Sequence, residues 1–200
     1  MPLLIGIAGG SASGKTTLAH GLVHELGPER VLWLLQDSYY RELGGLTLEQ
    51  RALHNFDHPD AFETPLLCRH LDELLAGGEV VVPEYDYTTH LRKHTGVRCQ
   101  AREFILLDGI LVLHEPELRA RMGLKVYMDS EPRICLQRRI DRDTVYRART
   151  EEEVIRQFTT QVEPMYRQYV EPSKQYADIV IADGTTKEKA VQDVLRRLSQ

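Results

Sequence analysis

The residues most able to do chemistry stand near the N-terminus. Gly9-Gly10-Ser11-Ala12-Ser13-Gly14-Lys15-Thr16 matches G-x-x-x-x-G-K-[ST], between an apolar run and a helical pattern. Glycines let backbone N–H groups turn inward around a phosphate chain with no Cβ in the way, and the N-terminus of the following helix adds positive potential. Lys15 is suited to bridge the outer phosphates of a nucleoside triphosphate, and the Thr16 hydroxyl to ligate Mg2+. Residues 9–16, with Thr17 next in the chain, are the expected nucleotide cradle. A dinucleotide-binding loop is excluded, because no G-x-G-x-x-G stands here.

Two carboxylates follow other strand-like runs. Phe104-Ile105-Leu106-Leu107 ends in Asp108-Gly109, where an acidic group would hold Mg2+ beside the cradle. Asp37 directly follows the run 31–35, which puts it at the carboxyl end of a strand, where open α/β sheets bind ligands. A carboxylate there could accept the proton of an acceptor hydroxyl during phosphoryl transfer. Positive charge for the transferring group is at hand in Arg133, Arg138, Arg139, Arg142, Arg147 and Arg149, set against only Asp141 and Asp143. Guanine-specific switching is not expected: Asn55, the only asparagine, lies in His54-Asn55-Phe56-Asp57, which is no N/T-K-x-D. His54 and His58 are four apart, yet no third ligand lies at zinc spacing and Pro59 ends any helix there.

These groups need elements to hold them. Apolar runs at 3–8, 31–35, 104–107, 125–128 and 178–182 read as five buried strands. Helical periodicity falls at 16–26, 47–53, 65–76, 131–142, 152–170 and 187–198, with Thr150 and Glu153 forming a capping box. Strands alternating with helices predict an α/β fold, a five-stranded parallel sheet covered on both faces. Residues 80–101 break that rhythm and predict a projecting β-hairpin, while 139–150 are expected to form an Arg-rich lid.

The chain of 200 residues is expected to be a single domain, and its composition narrows the partners. Hydrophobic residues at 42% and charged residues at 28% exclude disorder and fibrous repeats. A net charge of −5 argues against a nucleic-acid binder. No apolar stretch approaches the ~20 residues of a membrane span, and residues 1–7 lack the basic start of a secretory signal. Three widely spaced cysteines read as reduced thiols. A cytoplasmic protein with small-molecule partners, no nucleic acid and no membrane is expected.

Further blocks carry a resemblance. They are Gln36-Asp37-Ser38-Tyr39-Tyr40, then Asn55-Phe56-Asp57-His58-Pro59-Asp60-Ala61-Phe62, then Tyr85-Asp86-Tyr87 with Thr89-His90. Asp108-Gly109-Ile110-Leu111, Arg139-Ile140-Asp141-Arg142-Asp143 and Tyr176-Ala177-Asp178 follow. In this order, over nearly the whole chain, they resemble the uridine kinase (uridine–cytidine kinase) family of P-loop kinases. The Asn-Phe-Asp-His-Pro-Asp-Ala-Phe block is far more specific than the cradle. The resemblance implies a P-loop kinase fold, ATP or GTP as phosphate donor with Mg2+, and transfer to the 5′-hydroxyl of uridine and cytidine. A homotetramer with feedback inhibition by pyrimidine triphosphates is implied too.

Carried over position by position, Asp37 falls at the catalytic base and Thr16 at the Mg2+ ligand. Asp57 falls at a ribose-binding aspartate, with Arg139 and Gln157 nearby. Tyr85 and His90 match residues around the pyrimidine, Tyr40 belongs to the acceptor side, and Arg149 is another substrate contact. Arg142 and Arg147 fall at lid arginines. Asp108 departs from the glutamate of many relatives, and its shorter reach suits contact with Mg2+ through water. The residue chemistry agrees. A carboxylate at Asp57 can accept from two vicinal hydroxyls, Phe56 and Tyr85 offer flat apolar area, and His90 can meet a 4-oxo or 4-amino group by tautomer exchange. A purine could lie near residues 182–186, including Thr186. Two rivals remain: a phosphoribulokinase- or pantothenate kinase-like enzyme with another small alcohol, and a nucleotide sensor without turnover.

Overall fold

The computed structural model describes residues 1–146 and 149–199. Strands β1 (Leu3–Gly9), β2 (Val31–Leu35), β5 (Phe104–Asp108), β6 (Leu124–Asp129) and β7 (Ile179–Ala182) form one parallel sheet in the order β2-β5-β1-β6-β7. Ile5 of the central β1 is in register with Leu106 of β5 on one side and Leu124 of β6 on the other. The chain therefore builds outward from β1 in both directions, and the crevice at its carboxyl end is the topological switch point.

Alternation along the strands explains the two-sided core. Leu4 and Ala8 pack on one face with Ile105, Leu107 and α3 (Thr64–Leu75). Ile5 and Ile7, both 0% exposed, pack on the other against α1 (Lys15–Leu26) and α9 (Lys187–Leu198). Burying each such side chain stabilises the fold by about 1.5–3 kcal/mol.

Shorter pieces complete the frame. They are α2 (Leu48–Ala52), with a Thr47–Gln50 capping box, and α4 (Pro116–Arg119). Strands β3 (Glu79–Asp86) and β4 (Leu91–Gln100) pair antiparallel as a separate hairpin, irregular between Pro83 and Tyr85. Helix α5 (Pro132–Tyr146) runs past the end at 142 expected from sequence, and Thr144 Oγ1 donates back to the Ile140 carbonyl at 2.8 Å.

Segments α6 (Glu151–Gln157), α7 (Glu163–Met165) and α8 (Glu171–Ser173) run on through π turns at Phe158–Val162 and Tyr166–Val170. Val154, Phe158, Val162, Tyr166 and Val170 are all buried, four residues apart. An α-helix of 3.6 residues per turn would rotate such a row off the core by about 40° per step. The wider π turns keep it facing inward.

Candidate active site

The cradle follows β1 directly. Gly9 has φ +142°, and a Cβ there would stand 2.5 Å from the Met128 carbonyl oxygen, so only glycine lets the chain turn this close to β6. Gly14 (φ +102°) precedes α1, whose first turn has no side-chain cap and no acidic residue, leaving its amides to an anion. Lys15 is buried, with Nζ donating to the Gly10 carbonyl at 2.8 Å.

A cleft of about 830 Å³ opens over this loop. Its walls include residues 11–17, Asp37, Asp108, Arg138, Arg142 and the 182–185 segment. Thr16 Oγ1 donates to Asp108 Oδ2 at 3.1 Å. Burial pushes the Asp108 carboxyl above its ordinary range, against the pull of Lys15 and the Thr16 hydrogen bond. A desolvated carboxylate, a hydroxyl and a second carboxylate at Asp37 are hard oxygen donors, a set that suits Mg2+, which keeps several waters and takes one or two carboxylates. The residues present therefore fit the metal.

Asp37 is held from two sides. Its neighbour Gln36 is 0% exposed and accepts from the Leu111 amide at 2.9 Å, tying the end of β2 to the loop after β5. Gly109 permits that approach: a Cβ there would fall 2.3 Å from Gln36 Cβ. From the hairpin, Tyr87 donates its hydroxyl to Asp37 Oδ2 at 3.1 Å.

The arginine side forms one connected group. Arg139, 6% exposed, donates to Ser11 Oγ of the cradle at 3.0 Å and to Gln157 Oε1 at 2.9 Å. Arg149 donates to the same Gln157 oxygen at 2.6 Å. Burial lowers the Arg139 pKa, with Asp57 and Asp143 opposing. Burial raises the Asp57 carboxyl, with the charge of Arg139 pulling the other way. Arg142 lines the cleft itself. Arg147 lies outside the described residues.

Aromatic rings gather beneath the hairpin. Phe56 stacks on His90 at 5.1 Å and 17°, and Tyr85 OH lies 3.5 Å from His90 Nδ1. Tyr40, 8% exposed, packs edge-on against Phe56 and stacks on Phe62. These rings do not line the 830 Å³ cleft; Tyr87, 5.3 Å from Tyr85, links the two. His90 has φ +54°, a left-handed conformation that a non-glycine residue adopts at a cost of about 1–2 kcal/mol.

Other expected positions fall differently. The Thr186 hydroxyl is not in the cleft wall; it accepts from the Lys189 amide and caps α9, and Thr185 lines the cleft instead. Histidine 58 hydrogen-bonds Tyr169 OH at 3.0 Å, and among the described residues no group of three metal-type ligands occurs. The sequence placed Arg138 only within the arginine run and Asp183 only within 182–186, and gave Gln36 and Tyr87 no role of their own in the site. Arg138 pairs with Asp183 at 3.2 Å, and Ser130 Oγ lies 3.0 Å from Asp183 Oδ1 and 3.2 Å from the Ser13 carbonyl oxygen, so a clasp joins α5, the end of β7 and the cradle.

A phosphate cradle at the switch point of a parallel sheet, facing a carboxylate on the next strand end, defines a P-loop kinase fold. The chain belongs to the phosphoribulokinase/uridine kinase family, whose model matches residues 4–190. It is 44% identical over 197 residues to a uridine kinase of Chloroflexus aurantiacus, covering 98% of this chain and 94% of that relative. A uridine kinase of Shewanella pealeana is 44% identical over 198 residues, covering 97% and 93%. Among solved structures, phosphoribulokinase from Rhodobacter spheroides superposes with a TM-score of 0.65 at 14% identity, covering 95% of this chain and 74% of that one. Among the described residues, no helix is long and apolar enough to cross a membrane.

Proposed function

We propose that the chain is a nucleoside kinase that transfers the γ-phosphoryl of ATP, or of GTP, to the 5′-hydroxyl of uridine and cytidine, giving UMP and CMP. The observation that carries this reading is the place of Asp37. It lines the same cleft as the cradle and Asp108, on the side toward the aromatic cluster. The family and the 44% identity to uridine kinases support the choice of acceptor.

The cradle amides and Lys15 hold the triphosphate. Asp37 accepts the proton of the 5′-hydroxyl as its oxygen bonds to the γ-phosphorus. The bond from that phosphorus to the β-bridging oxygen breaks, and the nucleoside diphosphate leaves. Arg142 and Lys15 face the charge on the equatorial oxygens, and the resemblance gives Arg147 the same role. Thr16 and Asp108 would hold Mg2+, which when bound neutralises charge between the outer phosphates. Asp57 accepts from the ribose hydroxyls beside Arg139, Arg149 and Gln157, while Phe56, Tyr85 and His90, backed by Tyr40, enclose the pyrimidine.

ADP release is to be measured with uridine, cytidine, their 2′-deoxy analogues, ribulose 5-phosphate and pantothenate as acceptors, and with ATP and GTP as donors. Turnover is expected with the two ribonucleosides. Turnover confined to another alcohol, or none with any acceptor, would reject this reading. The resemblance also supports a cytoplasmic homotetramer acting in pyrimidine salvage with feedback inhibition by pyrimidine triphosphates. Light scattering on the purified protein tests the assembly.

A further inference from the structure

Asp143 has no place in the chemistry described above, yet it is the most enclosed charge around it. Its side chain is 0% exposed, and an isolated carboxylate in such a place would be strongly disfavoured. Among the described residues, three guanidinium groups meet it. Arg142 Nε donates to Oδ1 at 2.7 Å, Arg139 Nε stands 3.6 Å from Oδ2, and Arg149 Nη1 stands 3.8 Å from Oδ2. The backbone joins in, as the Arg149 amide donates to the Asp143 carbonyl at 3.3 Å.

Arg142 and Arg139 turn Nε toward Asp143, whereas Arg149 faces both Asp143 and Gln157 with the same Nη1. Arg142, anchored through Nε, also lines the nucleotide cleft. Arg139, with Nε 3.6 Å from Asp143 Oδ2, reaches Ser11 of the cradle with Nη1 and Gln157 with Nη2. Arg149 reaches the same Gln157. Without the carboxylate, three like charges would repel, and the repulsion between Arg139 and each of the other two is already felt. A buried ion pair is weak ground for stability, since apolar side chains of like volume do as well. What an apolar replacement cannot do is aim three guanidinium groups.

We propose that Asp143 is a positioning residue that sets the lid arginines against both substrates at once, so that nucleotide and acceptor subsites share one electrostatic anchor. This rests on the kinase reading above. A misplacement of about 1 Å in such groups costs about 10²-fold in rate.

The test compares full-length wild type, Asp143→Asn and Arg142→Lys in uridine-dependent ADP release, with melting temperature and ATP affinity measured in parallel. In folded Asp143→Asn, kcat falls about 10²-fold and the KM values for uridine and ATP both rise, the ATP change being the smaller because Lys15 and the cradle amides still hold the triphosphate. A variant with lower melting temperature but wild-type kcat and KM per folded molecule overturns the proposal, since that outcome marks a purely structural residue. Arg142→Lys keeps the charge at a half-exposed position but loses the Nε donor to Asp143, so it reports even if Asp143→Asn fails to fold. Its kcat is expected to fall at least tenfold, and wild-type kcat there also overturns the proposal. Where both variants fold, combining them should cost less than the product of the single effects; full multiplication overturns a shared anchor. Absence of uridine-dependent turnover in the wild type itself would instead reject the kinase reading.

Discussion

Asp37→Asn separates the chemical step from everything that surrounds it. The side chain is partly exposed and, among the described residues, receives a hydrogen bond from Tyr87 OH at 3.1 Å. An asparagine carbonyl can accept the same bond, so shape, hairpin docking and the Gln36 tie to Leu111 persist. What disappears is the ability to take up a proton. General-base catalysis contributes about 10²–10⁴-fold, which at 1.36 kcal/mol per decade is about 3–5 kcal/mol in the barrier. Nucleotide binding should be unchanged or slightly tighter, because Lys15 and the cradle amides are intact and one negative charge near the triphosphate is gone. Steady-state ADP release at saturating uridine gives kcat, and calorimetric titration gives ATP affinity. The expected pattern is kcat lowered at least 10²-fold with ATP affinity within threefold. A kcat within threefold of wild type would refute Asp37 as the proton acceptor, and with it the argument from strand-end placement.

Four further perturbations test the same geometry. Gly109→Ala puts a methyl 2.3 Å from Gln36 Cβ, so it should destabilise by about 1–3 kcal/mol and lower the melting temperature by about 2–4 °C per kcal/mol, with kcat falling as Gln36 shifts Asp37; an unchanged melting curve refutes the close packing. Asp57→Asn should weaken discrimination between uridine and 2′-deoxyuridine. Burial raises the Asp57 pKa, so its charged form costs stability at neutral pH; the variant should melt higher at pH 7, and the gain should vanish below about pH 3.9, where the acid is neutral folded or unfolded. Chelation with EDTA should abolish turnover until Mg2+ is restored, and Thr16→Val should need more Mg2+ for half-maximal rate than wild type does.

The sheet was legible because its strands are buried on both faces. Such strands read as continuous apolar runs, and the run at 31–35 coincides with β2 (Val31–Leu35). The continuous helix expected over 152–170 was legible from the helical spacing of its apolar residues, but its π turns were not. They follow from a row of buried side chains at strict four-residue spacing, a pattern that matters only once a core exists for it to face. Helix α4 escaped notice because four residues are too few to show a period.

Within the site, what could be read was what sits next to its own motif. Lys15, Thr16, Asp37 and Asp108 each follow a strand pattern, and the strand carries them to the carboxyl edge of the sheet. Partnerships between distant segments carried no such signal. Arg139 meets Ser11 across 128 residues and Tyr87 meets Asp37 across 50, and both depend on where the strand order brings α5 and the hairpin. Thr185 and Thr186 are chemically alike, so only the Lys189 amide, three residues on, decides which hydroxyl caps α9. The arginine run shows the difference most clearly. Counting charges makes Asp143 a subtraction from the positive field. In the fold it stands among Arg139, Arg142 and Arg149, without solvent, where its field acts on all three at short range. Removing it would raise the net positive charge of the segment and yet is expected to slow phosphoryl transfer, because the rate depends on where those charges point rather than on how many there are.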